Sequence, residues 1–462
     1  MKKNRNILAL ILILAVTLAV LVAVAVFALG GRNAADTPTQ PTQITQPTTL
    51  PTEAPTEPPT EPPVTKVATA TVSSVGDMLM HMPVVNTGYN DASGKYDQLG
   101  KMFDYITDYT TSADLMVGNL ETTLAGADFV HYSGKVGYSG YPQFNCPDDE
   151  VDAMKGAGFD VILTANNHSY DTRNTGFRRT LETVLDRGLT YLGTKLEAEE
   201  PDYIIADCNG IQIGLMCYTY ETNSDPDKKA PNGLTMKTAD APLMNTFDYT
   251  NLEMFYQEVR ESLAQMARQG VDATVLFIHW GNEYQTKQNK SQTAIAQALC
   301  DLGVDVIIGG HPHVVQPVDL LTSTKDENHK TVCLYSMGNA VSNQRRAKMN
   351  LKTGHTEDGV LFSVTFARYT DGTVILESAD LLPTWVNLDT HPETGKKAYM
   401  ILPLDNAVTD WKAAFGLSDN TLKNAEASYE RTVKITGEGM TKVNTWLAQN
   451  QTDTETAIGV EK

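Results

Sequence analysis

Cysteine is scarce in this 462-residue chain: Cys146, Cys208, Cys217, Cys300 and Cys333 show neither CxxC spacing nor the density of a disulfide scaffold. The pattern argues against a thiolate metal site. Cys208 and Cys217 are the closest pair, but Asn209-Gly210 reads as a two-residue hairpin turn that sets Cys208 opposite Ile211, a register that argues against their pairing. The odd count leaves at least one thiol free unless it pairs with another chain. Positive charge is also short. Thirty-six Lys+Arg against fifty-six Asp+Glu give a formal charge of -20, which disfavours nucleic acid and anionic lipid surfaces as partners. The same acidity suits a soluble surface, or carboxylates gathered around cations.

Long hydrophobic runs are missing except at the start, where Lys2, Lys3 and Arg5 precede an uncharged run from Ile7 to Leu29, broken only by Thr17. At about 1.5 Å per residue this run spans a hydrocarbon core of ~30 Å. It exceeds the ~7–15 residues of a cleavable signal segment, so residues 1–30 are expected to be an uncleaved transmembrane signal-anchor. The basic flank places the N-terminus in the cytoplasm and the rest outside. Residues 31–66, dominated between Thr37 and Pro63 by Pro, Thr, Gln and Glu, cannot bury a core and read as a disordered linker. It forms either an extended stalk or a tail with no spacing role.

Beyond Val67 short β-rich runs alternate with helical segments, the pattern of an α/β domain with parallel strands, here assigned to 67–391. Expected helices are Pro147–Lys155, Thr175–Arg187 and Ser291–Leu302, each stopped by glycine. Six runs end in polar clusters: Gly76-Asp77, Gly118-Asn119-Leu120-Glu121, Asn166-Asn167-His168, His279-Trp280-Gly281-Asn282-Glu283-Tyr284, Gly309-Gly310-His311-Pro312-His313 and Ser336-Met337-Gly338-Asn339. Ligands of open α/β sheets bind beyond the carboxyl ends of strands, so these clusters are expected to share one crevice. Gly359–Phe366 and Thr373–Ala379 read as a hairpin extending a second sheet. Residues 392–462 read as a C-terminal appendage with helices near Leu422–Val433 and Gly439–Asn450 and no chemical motif.

Singly these motifs are weak: a Gly-Asp is usually a turn, Asn166-Asn167-His168 fits a capping loop, and His279 fits a hydrogen-bonded core histidine. His311-Pro312-His313 is harder to explain by packing. Together, Asp77, Glu121, Asn167, His279, His311 and His313 offer carboxylate, amide and imidazole ligands without thiolate, a set suited to two divalent ions such as Mn, Fe or Zn. Two metals so held bind an oxyanion and activate water for displacement at phosphorus.

At these residues the chain resembles the CapA, or poly-γ-glutamate capsule biosynthesis, family of the calcineurin-like metallophosphoesterase superfamily. The likeness runs from about Val72 to Ser342 through Val-Gly-Asp at 75–77, Gly-Asn-Leu-Glu at 118–121, Ala-Asn-Asn-His at 165–168 followed by Asp171, His-Trp-Gly-Asn-Glu-Tyr at 279–284, Gly-His-Pro-His-Val-Val-Gln-Pro at 310–317 and Tyr-Ser-Met-Gly-Asn at 335–339. It implies a four-layer α/β/β/α sandwich in which Asp77 binds one metal, Glu121 bridges, Asn167 and His279 hold the second, and His311 and His313 divide between them. It also implies His168 as general acid or charge stabiliser oriented by Asp171, with Glu283 and Gln316 at the rim. The superfamily's usual Asp-x-His is Asp77-Met78-Leu79 here, and its Gly-Asp-x-x-Asp is Gly-Asn-Leu-Glu, which leaves one metal short of a ligand. His81 lies two positions late to replace it and is assigned to the rim as well.

The expectation is a membrane-anchored, extracytoplasmic bacterial protein acting on a capsule or envelope polymer, an anionic one by family analogy, as a metal-dependent hydrolase or transferase beside membrane-embedded synthase or export subunits. The alternative is a non-catalytic scaffold of a polymer-export complex, favoured by the missing Asp-x-His histidine and opposed by the retained His168, His311 and His313.

Overall fold

A computed structural model describes residues 63–222 and 228–460. The expected anchor over Ile7–Leu29 and the linker up to residue 62 lie outside the described residues. Among those described, no helix is long and apolar enough to cross a membrane. Pro62–Lys462 is one compact unit.

The unit is a mixed α/β fold with two sheets. In chain order, β1 (Lys66–Met78), β2 (Leu115–Leu120), β3 (Val161–Leu163) and β4 (Thr190–Leu192) open the first sheet. The second is built by β5 (Tyr203–Cys208), β6 (Ile211–Tyr220), β7 (Thr246–Phe247), β8 (Ala273–His279), β9 (Val306–Gly310), β10 (Val318–Thr322) and β11 (Lys330–Leu334). The chain then returns to the first sheet with β12 (Asn339–Val341), β13 (Asp358–Tyr369), β14 (Val374–Thr390) and β15 (Lys397–Pro403). Strand orders are β15-β14-β13-β1-β2-β3-β4, with β12 on β1, and β10-β11-β9-β8-β6-β5, with β7 on β6. The strands that carry the polar clusters run parallel: β1 with β2, β2 with β3, β6 with β8 and β8 with β9.

These sequences become central strands because both of their faces are covered. All seven residues of β8 are buried, which is why it reads as a continuous apolar run rather than an alternation. One cluster, including Val72, Val117, Leu215, Phe277 and Ile308, packs sheet against sheet. The outer face of the first sheet packs on Val151 and Met154 of helix α1 (Asp149–Gly156), near Val184 of α2 (Arg173–Asp186). That of the second packs on Val259 of α3 (Leu252–Arg268) and Ile295 and Leu299 of α4 (Lys290–Leu302). Helix α4 starts at a capping box formed by Asn289 and Gln292 and stops at Gly303, whose φ of 96° suits the αL cap. The turn at Asn209-Gly210 sets Cys208 opposite Ile211 as expected, and all five cysteines are buried and unpaired.

Three expectations need correction. The hairpin of β13 and β14 extends the first sheet, through antiparallel pairing of β13 with β1. The boundary at 391/392 also cuts through that sheet, because β15 pairs with β14 along Lys397–Pro403. The rest of the C-terminal segment carries a single 40-residue helix, α5 (Asp419–Ile458), where two shorter ones were expected. Gly439, expected to open the second of them, lies inside this helix and against the sheet: a Cβ there would come 1.8 Å from the Val318 carbonyl oxygen.

Candidate metal centre

Each candidate ligand sits where a parallel strand gives out. Asp77 lies at the end of β1, paired in register with Asn339 of β12, and Glu121 directly follows β2. Asn167 and His168 follow β3, His279 is the last residue of β8, and His311 and His313 follow β9. The six expected ligands are all buried, and they converge as predicted.

The donors form two groups that share one residue. Glu121, His279 and His311 offer ligand atoms lying within 4.8 Å of one another, and so do Asp77, Glu121 and His313. Glu121 lies 3.5 Å from His279 Nε2 and 3.8 Å from His313 Nε2, and neither of its carboxylate oxygens has a hydrogen-bond partner. His311 Nδ1 is likewise buried without a partner. Burying unpartnered polar atoms is costly, so these orphans fit a cation between them. Asn167 Oδ1 lies 2.9 Å from His279 Nε2, placing the amide oxygen at the first group. A further group, Asp104, His391 and Glu393, is partly exposed, and Lys101 already pairs with both of its carboxylates.

Neighbouring residues fix the ligands. Asn119 Nδ2 donates to Asp77 Oδ1 at 2.8 Å, and Asn166 in turn donates to Asn119 Oδ1 at 3.0 Å. The His311 backbone N–H donates to Asp77 Oδ2 at 3.0 Å. Asn339 Nδ2 donates to Gln344 Oε1 and to the Thr356 carbonyl, so its Oδ1 accepts from His313 Nδ1 at 3.1 Å and leaves Nε2 as the atom free for a cation. His311 and His313 have φ of 93° and 55°, left-handed conformations that cost about 1–3 kcal/mol each outside glycine and persist where surrounding contacts impose them.

Burial works against the Asp77 carboxylate, but the hydrogen bond and charge of His313 and the charge of His279 hold its pKa below the ordinary value. His313 is also depressed by burial, yet Glu121 and Asp77 raise it to about 9. His311 is pushed far down by burial and by the neighbouring histidines. A proton on His313 therefore competes with any cation for that ring, and metal binding would displace it.

His168 stands beside this cluster. Its Nδ1 lies 2.8 Å from Asp171 Oδ2, which also accepts from the Phe144 backbone N–H at 2.7 Å. Burial opposes its protonation, but the charge and hydrogen bond of Asp171 prevail and raise its pKa. Of the expected rim residues, Glu283 is exposed beside the site, and it helps raise the Tyr284 phenol after burial. His81 lines an adjacent groove, where burial holds its pKa down to about 4. Gln316 is not at the rim: it is fully buried, donating to the Gln285 and Lys287 carbonyls and accepting from Gln292, so it holds the 285–287 loop. As residues with a role at the site, Asn119 and Asn339 escaped the sequence reading. Their signal was an asparagine inside two of the six polar clusters already named, one of them the cluster that carries Glu121.

Residues 71–344 match the family of bacterial capsule synthesis protein PGA_cap. The chain belongs to this family. It is 26% identical over 317 residues to a capsule biosynthesis protein CapA of Bacillus anthracis, covering 67% of each chain. It is 25% identical over 276 residues to a PGA biosynthesis protein CapA of Bacillus subtilis (strain 168), covering 59% of this chain and 63% of the relative. All six expected ligands fall within the segment matched to the family.

Proposed function

We propose that this family member is a metal-dependent hydrolase or transferase of an envelope polymer, with a metallophosphoesterase-type sandwich held outside the membrane by its N-terminal segment. The observation that carries this reading is Glu121, shared by two donor groups with both oxygens unpartnered. Asp77 and His313 would hold one divalent ion, His279, His311 and Asn167 the other, and Glu121 would bridge. Such a pair supplies Lewis acidity toward an oxyanion and a water of lowered pKa.

The chain's own residues do the rest. His168, whose pKa the charge and hydrogen bond of Asp171 raise, would supply a proton to the leaving oxygen, while the Phe144 N–H fixes Asp171 and so the ring. His81, neutral at physiological pH, adds no charge. The capsule and PGA biosynthesis roles named for the two Bacillus relatives point to an anionic capsule polymer as substrate and to membrane-embedded synthesis or export subunits as partners.

Leu79 favours the alternative scaffold role: it is buried at the usual histidine position, and His81 Nδ1 is already within reach of Leu79 O and Asn343 N. The deciding experiment measures metal stoichiometry and turnover, against phosphoester, peptide and glycan substrates, for the parent, His279→Ala, His311→Ala, His313→Ala and His168→Ala. The ligand variants should lose metal and thermal stability. His168→Ala should keep its metal and lose about 10²–10⁴-fold in rate. A parent that binds no divalent ion, or four variants with full metal content, would leave the scaffold role.

A further inference from the structure

A groove of about 370 Å³ opens beside the metal centre, between His81 and an arm made by residues 128–143. The arm is built to hold its shape. Val130 and Val136 pair as a bridge, His131 Nε2 bonds the Gly137 carbonyl at 2.7 Å, and Asn145 Nδ2 donates to the Gly126 and Gly137 carbonyls. Gly140 brings it against the next segment so closely that a Cβ there would lie 2.8 Å from the Met82 nitrogen.

This arm carries four of the ten exposed large hydrophobic side chains among the described residues: Val130, Tyr132, Val136 and Tyr141, the two tyrosines 99% and 79% exposed. Such clustering marks a contact surface rather than scattered surface apolarity. The charge is unusual for this molecule. A chain with a net charge of -20 lines the groove with the cation Lys135 and with no carboxylate. Lys135 makes no ion pair among the described residues. The groove also reaches the chemistry: the His81 ring lies 5.2 Å from Phe144, which lies 4.6 Å from His168, and Tyr141 adds to the field that raises Tyr284.

We infer that this groove is the subsite for an extended anionic chain, with Lys135 pairing with its charged groups and Tyr141 lying along its backbone. The inference rests on the polymer reading above and adds where the polymer sits. A small anion would use Lys135 alone and leave the exposed Tyr141 without a role. A chain uses both, and delivers one of its bonds past His81 to His168.

The test uses the full-length protein in detergent, with labelled poly-γ-glutamate, long-chain polyphosphate and uncharged dextran as probes. A carboxylate or phosphate polymer, whichever the site accepts, should bind and dextran should not. Lys135→Glu should weaken binding about tenfold or more, roughly one unfavourable charge contact of about 1.4 kcal/mol. Tyr141→Ala should weaken it severalfold, and both variants should keep the parent's metal content and melting temperature. Parent-like binding in both variants, or dextran binding as well as the polyanions, overturns the subsite. If the parent proves metal-free but binds polymer through Lys135, the hydrolase reading falls and the subsite stands. An active, metal-loaded parent whose binding ignores Lys135 sinks the subsite alone.

Discussion

Gly76 shows at residue scale why a strand exit has the composition it does. A Cβ at this position would lie 2.2 Å from the Gly338 carbonyl oxygen, the atom that accepts the Asp77 N–H at 2.9 Å. The obstacle is backbone and cannot swing away, so Gly76→Ala should separate β1 from β12 and displace Asp77. A destabilisation of about 1–3 kcal/mol is expected, as for other overpacked sites, together with lost metal content. Gly156→Ala, whose added Cβ would meet nothing within 4 Å, is the control and should unfold no more easily than the parent. Glu150 sets a different constraint. It is fully buried, both oxygens lack partners, and burial alone raises its pKa to about 8. The folded state therefore keeps a proton that the unfolded chain releases near the ordinary carboxylate pKa, so stability should fall as pH rises between that range and about 8. At about 1.4 kcal/mol per unit, the loss has an upper bound of ~5 kcal/mol. Denaturant titrations across this window should show the slope in the parent and a flatter profile in Glu150→Gln; equal slopes would refute the assignment.

At the scale of elements, α5 is linked to the candidate metal centre by a route of hydrogen bonds. Arg431 donates to both oxygens of buried Asp358 at 2.6 and 2.8 Å, and Ser428 adds a bond of 2.6 Å. Asp358 begins β13, directly after the 354–357 turn, whose Thr356 carbonyl accepts from Asn339 at 3.0 Å, and Asn339 orients His313. Arg431→Met leaves a buried carboxylate without its countercharge and should cost about 3–5 kcal/mol. It should also weaken metal binding by about tenfold or more, as when other supports of ligands are lost. Adding Asp358→Asn should restore much of the stability, whereas equal losses in the single and double variants would deny the pairing. The sequence made the strand exits legible because apolar β-branched runs such as Ala273–Ile278 stop abruptly at polar, glycine-flanked clusters. It showed α5 as two shorter helices and hid their continuity, because the middle of the buried face is small and polar, with Ser428, Thr432, Thr436 and Gly439 between Ala425 and Val443. Gln316 was misplaced for a related reason: the motif gives its neighbours in sequence, whereas its depth depends on loop carbonyls at Gln285 and Lys287.

The molecule as a whole extends past the segment that marks its family. The match ends at residue 344, yet β13, β14 and β15 make up one side of the first sheet, and α5 contributes Val443 and Leu447 to the core between the sheets. Ala425 and Leu417 pack against Trp385, Met400 and Leu402. The two ends of the unit also meet, with Val64 bridged to Val460 beside Tyr369 and Ile458. Removing residues 392–462 would therefore strip β15 from β14, uncover the edge of the core and orphan Asp358. That last change alone, at about 3–5 kcal/mol, rivals the ~5–15 kcal/mol by which whole domains are stable. A fragment of residues 62–462 should melt in one cooperative transition and retain the parent's metal content, because it keeps both sheets and the pairing of Val64 with Val460. The fragment 62–391 should show no cooperative transition and no bound metal, read by calorimetry and elemental analysis on the same samples. If it melts cooperatively near the longer fragment's temperature with its metal in place, the C-terminal segment is a dispensable appendage, and the route from α5 through Asp358 and Asn339 to His313 carries no weight.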